Sequence, residues 1–406
     1  MPEANGSAGR EDRALEPAHY RDLVRATISP LRTEFDEWER EGHIPRQFFQ
    51  QLGESGVFRE RWRCGAAGGH HLARVLIEEL TPLNGGVALA TSIHSEVFIH
   101  ALAHFGSPGQ KQLLEDALSG QAIGCFAATE ATAGSDLTSI QATARAEGDG
   151  WRLRAEKRYT TNAGRATHVI VLATITGDRD RPALFCLPLD LPGVMVRGYY
   201  ETLGVRSADT CVLSIDALAG PDDLLGKPGH GLGIAFRLLD YERLAASAGL
   251  LAGAEVALRL ARTWGRRRVQ FASRLLDHQA LRHRLADRWA DLYAARSALD
   301  ATCARLAMGQ MPHVEIAATK LLAARAASLA IDETLQVFGA RGYTSAFPIE
   351  RMYRDVRLTR IGGGSDEVMR NIVAAFLDTE DAEAKGWVGA WEQADNAGGS
   401  LIPQSR

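Results

Sequence analysis

The sequence predicts a mostly α-helical protein with an antiparallel β domain at its centre and a four-helix bundle at its C-terminal end. Three observations carry this. Apolar residues recur at helical spacing over residues 19 to about 120, and the pattern changes to short alternating and β-branched runs over 123 to about 225. Helical spacing then returns from 232 to about 377. The chain has 406 residues, of which 46% are hydrophobic and 24% charged, enough apolar surface for two or three domains and too much for a disordered chain.

Taken in order, residues 1–17 are polar and rich in Gly and Ala, and read as a disordered tail. Residues 18–121 form the N-terminal helical domain. Tyr20, Leu23, Val24, Ile28 and Leu31 make one stripe and Val75, Leu76 and Leu80 belong to another, with breaks at Gly42, Pro45, Gly53, Pro82 and Pro108. Residues 122–230 form the middle β domain: WRLRA at 151–155 alternates, HVIVLA at 168–173 is β-branched, and 183–188 and 210–215 repeat the pattern. Residues 231–380 hold four helical segments, near 233–270, 279–308, 314–338 and 366–378, whose short breaks argue for an antiparallel bundle. Residues 381–406 read as a second tail.

Composition removes several functions. Forty-six basic against fifty acidic residues give a net charge of −4, without the basic excess of a nucleic-acid-binding protein. No uninterrupted apolar run approaches the roughly 18 residues that span a bilayer. The first stretch lacks the apolar segment of a secretory signal. Five widely spaced cysteines (Cys64, Cys125, Cys186, Cys211, Cys303) without a CxxC read as reduced thiols, so the expected location is the cytoplasm. Only five of the basic residues are lysines.

Candidate motifs compete with plainer explanations. GKPGHGLG at 226–233 lacks the Lys-Ser/Thr ending of a phosphate loop, misses the GxGxxG spacing and sits outside any βαβ unit, so it reads as a connecting loop. His100 and His104 lie one helical turn apart, with His94 six residues earlier, but in apolar surroundings without the glutamate of a zinc motif; no metal is expected. AATEATAGSD at 127–136 is a loop of hydroxyls and small residues able to present N–H and O–H groups to a polar ring edge or a phosphate. Glu242-Arg243 is followed by LAASAG, small residues that allow close helix packing and place Glu242 at the edge of a buried cavity. Desolvation there raises a carboxyl pKa toward that of a general base. In IGGGSDE at 361–367, the serine caps the next helix and the glycines bring backbone close to a ligand.

Together and in this order, these segments resemble the acyl-CoA dehydrogenase family over about residues 18–378. TEATAGSD at 129–136 resembles the family's TEPxAGSD, and YTTNAG at 159–164 its WITN segment. LGVRSADT at 203–210 is similar to LGxRxSxT, RVQF at 268–271 to RxQFG, and QVFGARGY at 336–343 to QxxGGxGY. RDVRLTRIGGGSDEVM at 354–369 resembles RDxRxxxIxxGTxEIM. The resemblance implies a helical, β, helical architecture, FAD as cofactor, and removal of two hydrogens from the α and β carbons of an acyl thioester on coenzyme A or a carrier protein. It also implies an electron-transfer flavoprotein as acceptor and a homo-oligomer, a tetramer or a dimer.

Residue by residue, it implies a flavin site at Phe126, Ala128, Thr129, Gly134, Ser135, Tyr159, Thr160, Thr161, Ser365 and Glu367. Arg268, Gln270, Phe271, Gln279, Gln336, Val337, Phe338, Gly339 and Ala340 would reach the flavin of a neighbouring subunit. Many members carry the base in a YEGT element, whose glutamate is here replaced by Gly363. The subset resembling isovaleryl- and long-chain-acyl-CoA dehydrogenases places it on the first bundle helix before an arginine, where Glu242 stands. Glu242 is therefore the expected base, with Ser135, Asp240, Tyr241, Arg243, Gly363 and Gly364 at the substrate. The chain departs from the family at Ala131 (Pro), Tyr159 (Trp) and Ala340 (Gly). Gly233, nine residues before Glu242, is expected to leave the acyl pocket open. The competing reading is a flavin-dependent monooxygenase on the same fold, against which the retained carboxylate counts.

Overall fold

The computed structural model describes residues 15–177, 180–378 and 382–396; most of the expected N-terminal tail lies outside them. Among the described residues, nine helices open the fold: α1 (Pro17–Ile28), α2 (Glu34–Glu41), α3 (Arg46–Glu54), α4 (Val57–Trp62), α5 (Gly65–Gly68), α6 (His70–Leu80), α7 (Gly85–Ser92), α8 (His100–Phe105) and α9 (Lys111–Leu118). The stripes read from the sequence are the ones buried, with Tyr20, Val24 and Ile28 on α1 and Val75, Leu76 and Leu80 on α6 in one core. Asn84 caps α7, its side chain accepting from the N–H groups of Gly86 and Val87. Between α7 and α8 the chain widens into a π-helical turn at Ile93–Ile99.

The middle domain is one sheet of β1 (Gly124–Ala127), β2 (Thr143–Glu147), β3 (Gly150–Thr160), β4 (His168–Ile175), β5 (Arg181–Pro188), β6 (Val194–Tyr199), β7 (Cys211–Ala219) and β8 (Leu224–Leu225). Its order is β6-β7-β3-β2-β4-β5-β8, with β1 beside β4. Most pairings are antiparallel, as expected, but β1 and β2 both run parallel to β4. Gly124 to Ala127 face His168 to Val171, and Thr143 and Ala144 face Thr174 and Ile175. The two strands thus share β4, and the segment 128–142 leaves the sheet where one hands over to the other. That departure exposes the hydroxyl-rich loop.

The C-terminal domain has three long helices, α10 (Gly231–Arg267), α11 (Gln279–Ala307) and α12 (His313–Phe338). A small hairpin, β9 (Val269–Gln270) with β10 (Ser273–Arg274), joins α10 to α11. A short helix not expected from the sequence, α13 (Ile349–Leu358), precedes the fourth bundle segment. That segment is expected near 366–378 and is found as α14 (Asp366–Ala374) with a 3-10 turn to residue 378; both helices pack on α12. The three glycines at 362–364 separate them. The expected second tail contains a helix, α15 (Ala382–Asn396), and its remainder lies outside the described residues.

The segments Gly85–Phe105 and Gly231–Arg267 are long and apolar enough to cross a membrane, although neither is an uninterrupted apolar run. In the fold 83% and 61% of their most apolar windows are buried, because they form the centre of the core.

Candidate active site

Three groups of residues gather the sequence motifs. In the first, the loop leaving β1 is fastened to β3. Lys157 Nζ donates to Ala128 O (3.1 Å) and pairs with Glu130 Oε1 (2.6 Å), and Glu130 also accepts from the N–H groups of Gln141 and Ala142. The N–H of Arg158 donates to Thr129 O (2.9 Å). A bulge in β3 opposite β7, between Lys157 and Thr160, then turns the backbone. Tyr159 takes φ +55° and stands 59% exposed, stacked on Tyr200, while Thr160 turns inward with its hydroxyl buried and unpartnered.

The bonds from Lys157 and Arg158 hold the Ala128 and Thr129 carbonyls next to β3 just before Tyr159. The hydroxyls of Thr129 and Ser135 and the N–H groups of Gly134 and Ser135 bond to nothing in the described protein. An exposed aromatic face, an orphaned buried hydroxyl and free donors fit the polar edge and flat face of a flavin. Lys157→Met leaves Glu130 with two amide donors but no counter-charge. The expected loss is about 1–3 kcal/mol of stability, with FAD affinity weakened at least about tenfold. Thermal unfolding and FAD titration of the apoprotein measure the two.

The second group surrounds Glu242 on α10. Its carboxyl is buried, accepts no hydrogen bond, and is pushed up to about 6 by desolvation, against the nearby cations Arg243 and Lys320. It lines a mostly apolar cavity of about 670 Å³, mouth included, between α6, α7, α10, α12 and α13. Next to it runs the glycine turn. Gly363 and Gly364 take φ +66° and +98°, conformations that disfavour side chains, and a Cβ at Gly363 would lie 3.3 Å from Glu242 Oε2.

Two buried cations draw back the carbonyls of this turn: Arg243 Nε donates to Gly363 O (2.7 Å) and Lys320 Nζ to Gly364 O (2.6 Å). The N–H groups of both glycines donate to nothing in the described protein. Arg243 is held in turn by Asp240 (2.7 Å), whose other oxygen meets His313 Nδ1 at 2.5 Å. Asp240 and Arg243 therefore shape the turn and stand behind the cavity wall. Tyr241, expected at the substrate, is instead buried against His70 and His100, with its carbonyl facing His70 Nε2. Ser365 caps α14 by accepting from Val368 N–H, and Glu367 is exposed beside Arg370. Gly233 is exposed and off the cavity wall; the openness expected of it belongs to Ala246 and Gly253.

Lys320 was not found from the sequence, and Asp355 stood there only within the motif at 354–369, with no role of its own. The latter carboxyl reaches the α13 wall of the cavity, accepts from Val205 N–H (2.6 Å) and is raised to about 6, chiefly by burial. The sequence hints at Lys320 only through the scarcity of lysine. In a chain with five lysines, two, Lys157 and Lys320, are buried and bond a backbone carbonyl of a motif loop.

The third group lies at one end of the bundle. Arg268, Gln270 and Phe271 (96% exposed) on the hairpin, Gln279 at the start of α11, and Gln336, Gly339 and Ala340 closing α12 are all exposed. Val337 and Phe338 are buried there, Phe338 stacked on Trp264 at 5.3 Å, so only their backbone faces outward interactions. None of these residues bonds to the loop at 126–135.

This architecture sets a site that fits a flavin beside a buried carboxylate on the wall of a mostly apolar cavity, the arrangement of a flavin enzyme with a general base. Residues 11–121, 125–218 and 229–377 match the N-terminal, middle and C-terminal domains of acyl-CoA dehydrogenases. The short-chain specific acyl-CoA dehydrogenase of Bos taurus mitochondria is 32% identical over 365 residues, 88% of each chain. An acyl-[acyl-carrier-protein] dehydrogenase, MbtN, of a Mycobacterium species (strain MCS) is 33% identical over 351 residues, 84% of this chain and 88% of its own. The butyryl-CoA dehydrogenase structure from Megasphaera elsdenii superposes with a TM-score of 0.84 at 26% identity, covering 89% of this chain and 98% of its own. The chain belongs to the acyl-CoA dehydrogenase family. It is an FAD-dependent oxidoreductase that dehydrogenates the CH–CH bond of an acyl thioester.

Proposed function

We propose that Glu242 is the base of this dehydrogenation and that the N–H of Gly363 holds the thioester oxygen. One observation carries the reading: a buried carboxylate with no hydrogen-bond partner stands on the wall of an apolar cavity, against a glycine turn whose N–H groups are free. A thioester α-proton is too weakly acidic for a carboxylate unless charge moving onto the carbonyl oxygen is stabilised, and a fixed N–H in a dry site does this. Arg243 and Lys320 fix the turn by its carbonyls, so the donors are set before substrate arrives. Burial supplies the basicity, since the same desolvation that raises the Glu242 pKa makes its carboxylate a stronger acceptor of the proton. FAD, when bound, supplies the acceptor for the hydride leaving the β-carbon. Thr129, Ser135, Tyr159, Thr160 and Thr161 would hold it, and Arg268, Phe271, Gln336 and Gly339 of a second copy would complete its site in a homo-oligomer.

A base on α10 with glycine at 363 is the arrangement of the isovaleryl and long-chain subset, and we place this chain there. Its thioester is carried by coenzyme A or a carrier protein, and its electrons leave to an electron-transfer flavoprotein. The test is anaerobic mixing of the holoprotein with acyl thioesters on both carriers while flavin absorbance is followed. Bleaching by one class identifies the handle; bleaching by none would overturn the reading.

The pH dependence is a second expected result. Glu242 must be ionised to act, so kcat/KM should fall with unit slope as pH drops below about 6. A flat profile from pH 5 to 8 would remove Glu242 from the role.

A further inference from the structure

We infer that the cleft beside Glu242 takes an acyl chain of about ten to twelve carbons lying along α10, with Gly253 setting its depth. The inference rests on the acyl-thioester reading of Glu242 and adds the length of the substrate.

The cleft has a direction. Glu242, Ala246, Leu250 and Gly253 line it at spacings of four, four and three, a single face of α10. At a rise of about 1.5 Å per residue, the eleven steps from Glu242 to Gly253 span about 16 Å. The facing helices run between the same ends. Thr359, close before the glycine turn that touches Glu242, and Met352 sit about two helix turns apart on α13 and its exit. At the far end Thr81, which follows α6, approaches a Cβ at Gly253 to 3.5 Å, and Gly85 at the start of α7 abuts Asp355. Thr81 Oγ1 donates to Ile77 O, and Asp355 accepts from Val205 N–H, so both polar side chains have protein partners.

Between those ends the wall is mostly apolar, from Ile77, Leu89, Leu250, Ile331 and Val356, with the buried, unpartnered hydroxyl of Ser92 as a polar exception, and narrow residues (Ala88, Ala246, Gly253) keep it open. An extended acyl chain advances about 1.25 Å per carbon, the projection of a C–C bond of about 1.5 Å. With the α-carbon at Glu242, about 16 Å therefore holds ten to twelve carbons once the terminal methyl has room. A butyryl group would reach only the first turn of that face and leave the rest of an apolar cavity unfilled.

Gly253 is the depth gauge because it alone on this face has no side chain at the far end. A Cβ there is in ordinary contact with Thr81 and the position is helical, so a leucine fits the backbone and fills the end of the cleft.

The experiment measures binding of saturated acyl-pantetheine thioesters, from butyryl to hexadecanoyl, to the flavin-loaded Glu242→Gln protein by titration calorimetry. Pantetheine is common to coenzyme A and carrier proteins, and a variant without the base separates binding from chemistry. Affinity should rise about three- to fourfold per added methylene up to ten to twelve carbons and fall by hexadecanoyl. In Glu242→Gln/Gly253→Leu the optimum should move to eight carbons or fewer, with dodecanoyl binding at least about tenfold weaker. An optimum at butyryl, matching the name of the Megasphaera elsdenii enzyme, would overturn the inference, as would a length profile unaltered by leucine at 253. If no thioester reduces the flavin of the unsubstituted protein while binding still peaks at ten to twelve carbons, the role of Glu242 fails and the depth of the cleft stands.

Discussion

Glu242→Gln should keep its yellow flavin and lose thioester-driven flavin reduction by about 10³-fold or more, the upper range of a positioned general base. The substitution preserves shape and removes only the ability to take a proton. The carboxylate accepts no hydrogen bond in the protein, so the amide displaces no partner. Stability gives an independent reading. Burial raises the folded-state pKa of Glu242 to about 6 from 4.5, so ionising it destabilises the fold. That penalty is absent below pH 4.5, grows between 4.5 and 6, and is complete above 6. The glutamine variant should then be more stable than the parent by up to about 2 kcal/mol at pH 8, with the two converging at pH 4. Reduction that survives in the variant would mean that another group takes the proton. Equal stabilities at pH 8 would mean that the carboxyl is not desolvated.

Arg61→Met should be the most destabilising single substitution in the helical half, at about 3–5 kcal/mol. Arg61 is fully buried and forks onto both oxygens of Glu96 at 3.0 and 2.5 Å, with further bonds to the carbonyls of Gly65 and Ala66. Glu96 sits in the π-helical turn, where Ser95 also donates to it. Methionine leaves that carboxylate charged in a dry interior. Arg61→Met/Glu96→Met should recover most of the loss, since the desolvated charge goes with its partner. The double variant has a second signature: Glu96 raises the Glu242 pKa through space, so its removal should move the acid limb of the rate profile to lower pH. Denaturant midpoints and pH profiles of the three proteins measure both effects.

The periodicity of the chain was sufficient for the order of its parts, because helices such as α1 and α6 bury one face and the central strands β4 and β5 are apolar runs buried on both. It failed where shape is set by the backbone. The helix α13 went unread because it is short and lies between a proline and three glycines, and the sharing of β4 by β1 and β2 comes from a pairing between distant segments that neither announces. In the site, Glu242 was legible as a charge amid small residues. The lysine that anchors Gly364 was not, because a side chain bonding a main-chain carbonyl leaves no pattern at the residue it holds. Tyr241 was misplaced for a related reason: adjacent residues on a helix diverge by about 100°, so the neighbour of a cavity residue faces the core.

The 3.3 Å between Glu242 Oε2 and the Cβ position of Gly363 also bears on descent. With Glu242 as the proposed base, a carboxylate at either place would serve the same small volume, and the two locations that the family resemblance gives for the base would be alternative anchors for one chemical group. A lineage moving it by single changes must pass through a chain with both or with neither. Both would crowd two acids into one dry space, where mutual repulsion keeps one protonated; neither leaves no proton acceptor. The carboxylate's address should therefore be inherited in blocks, stable within a branch and switched rarely.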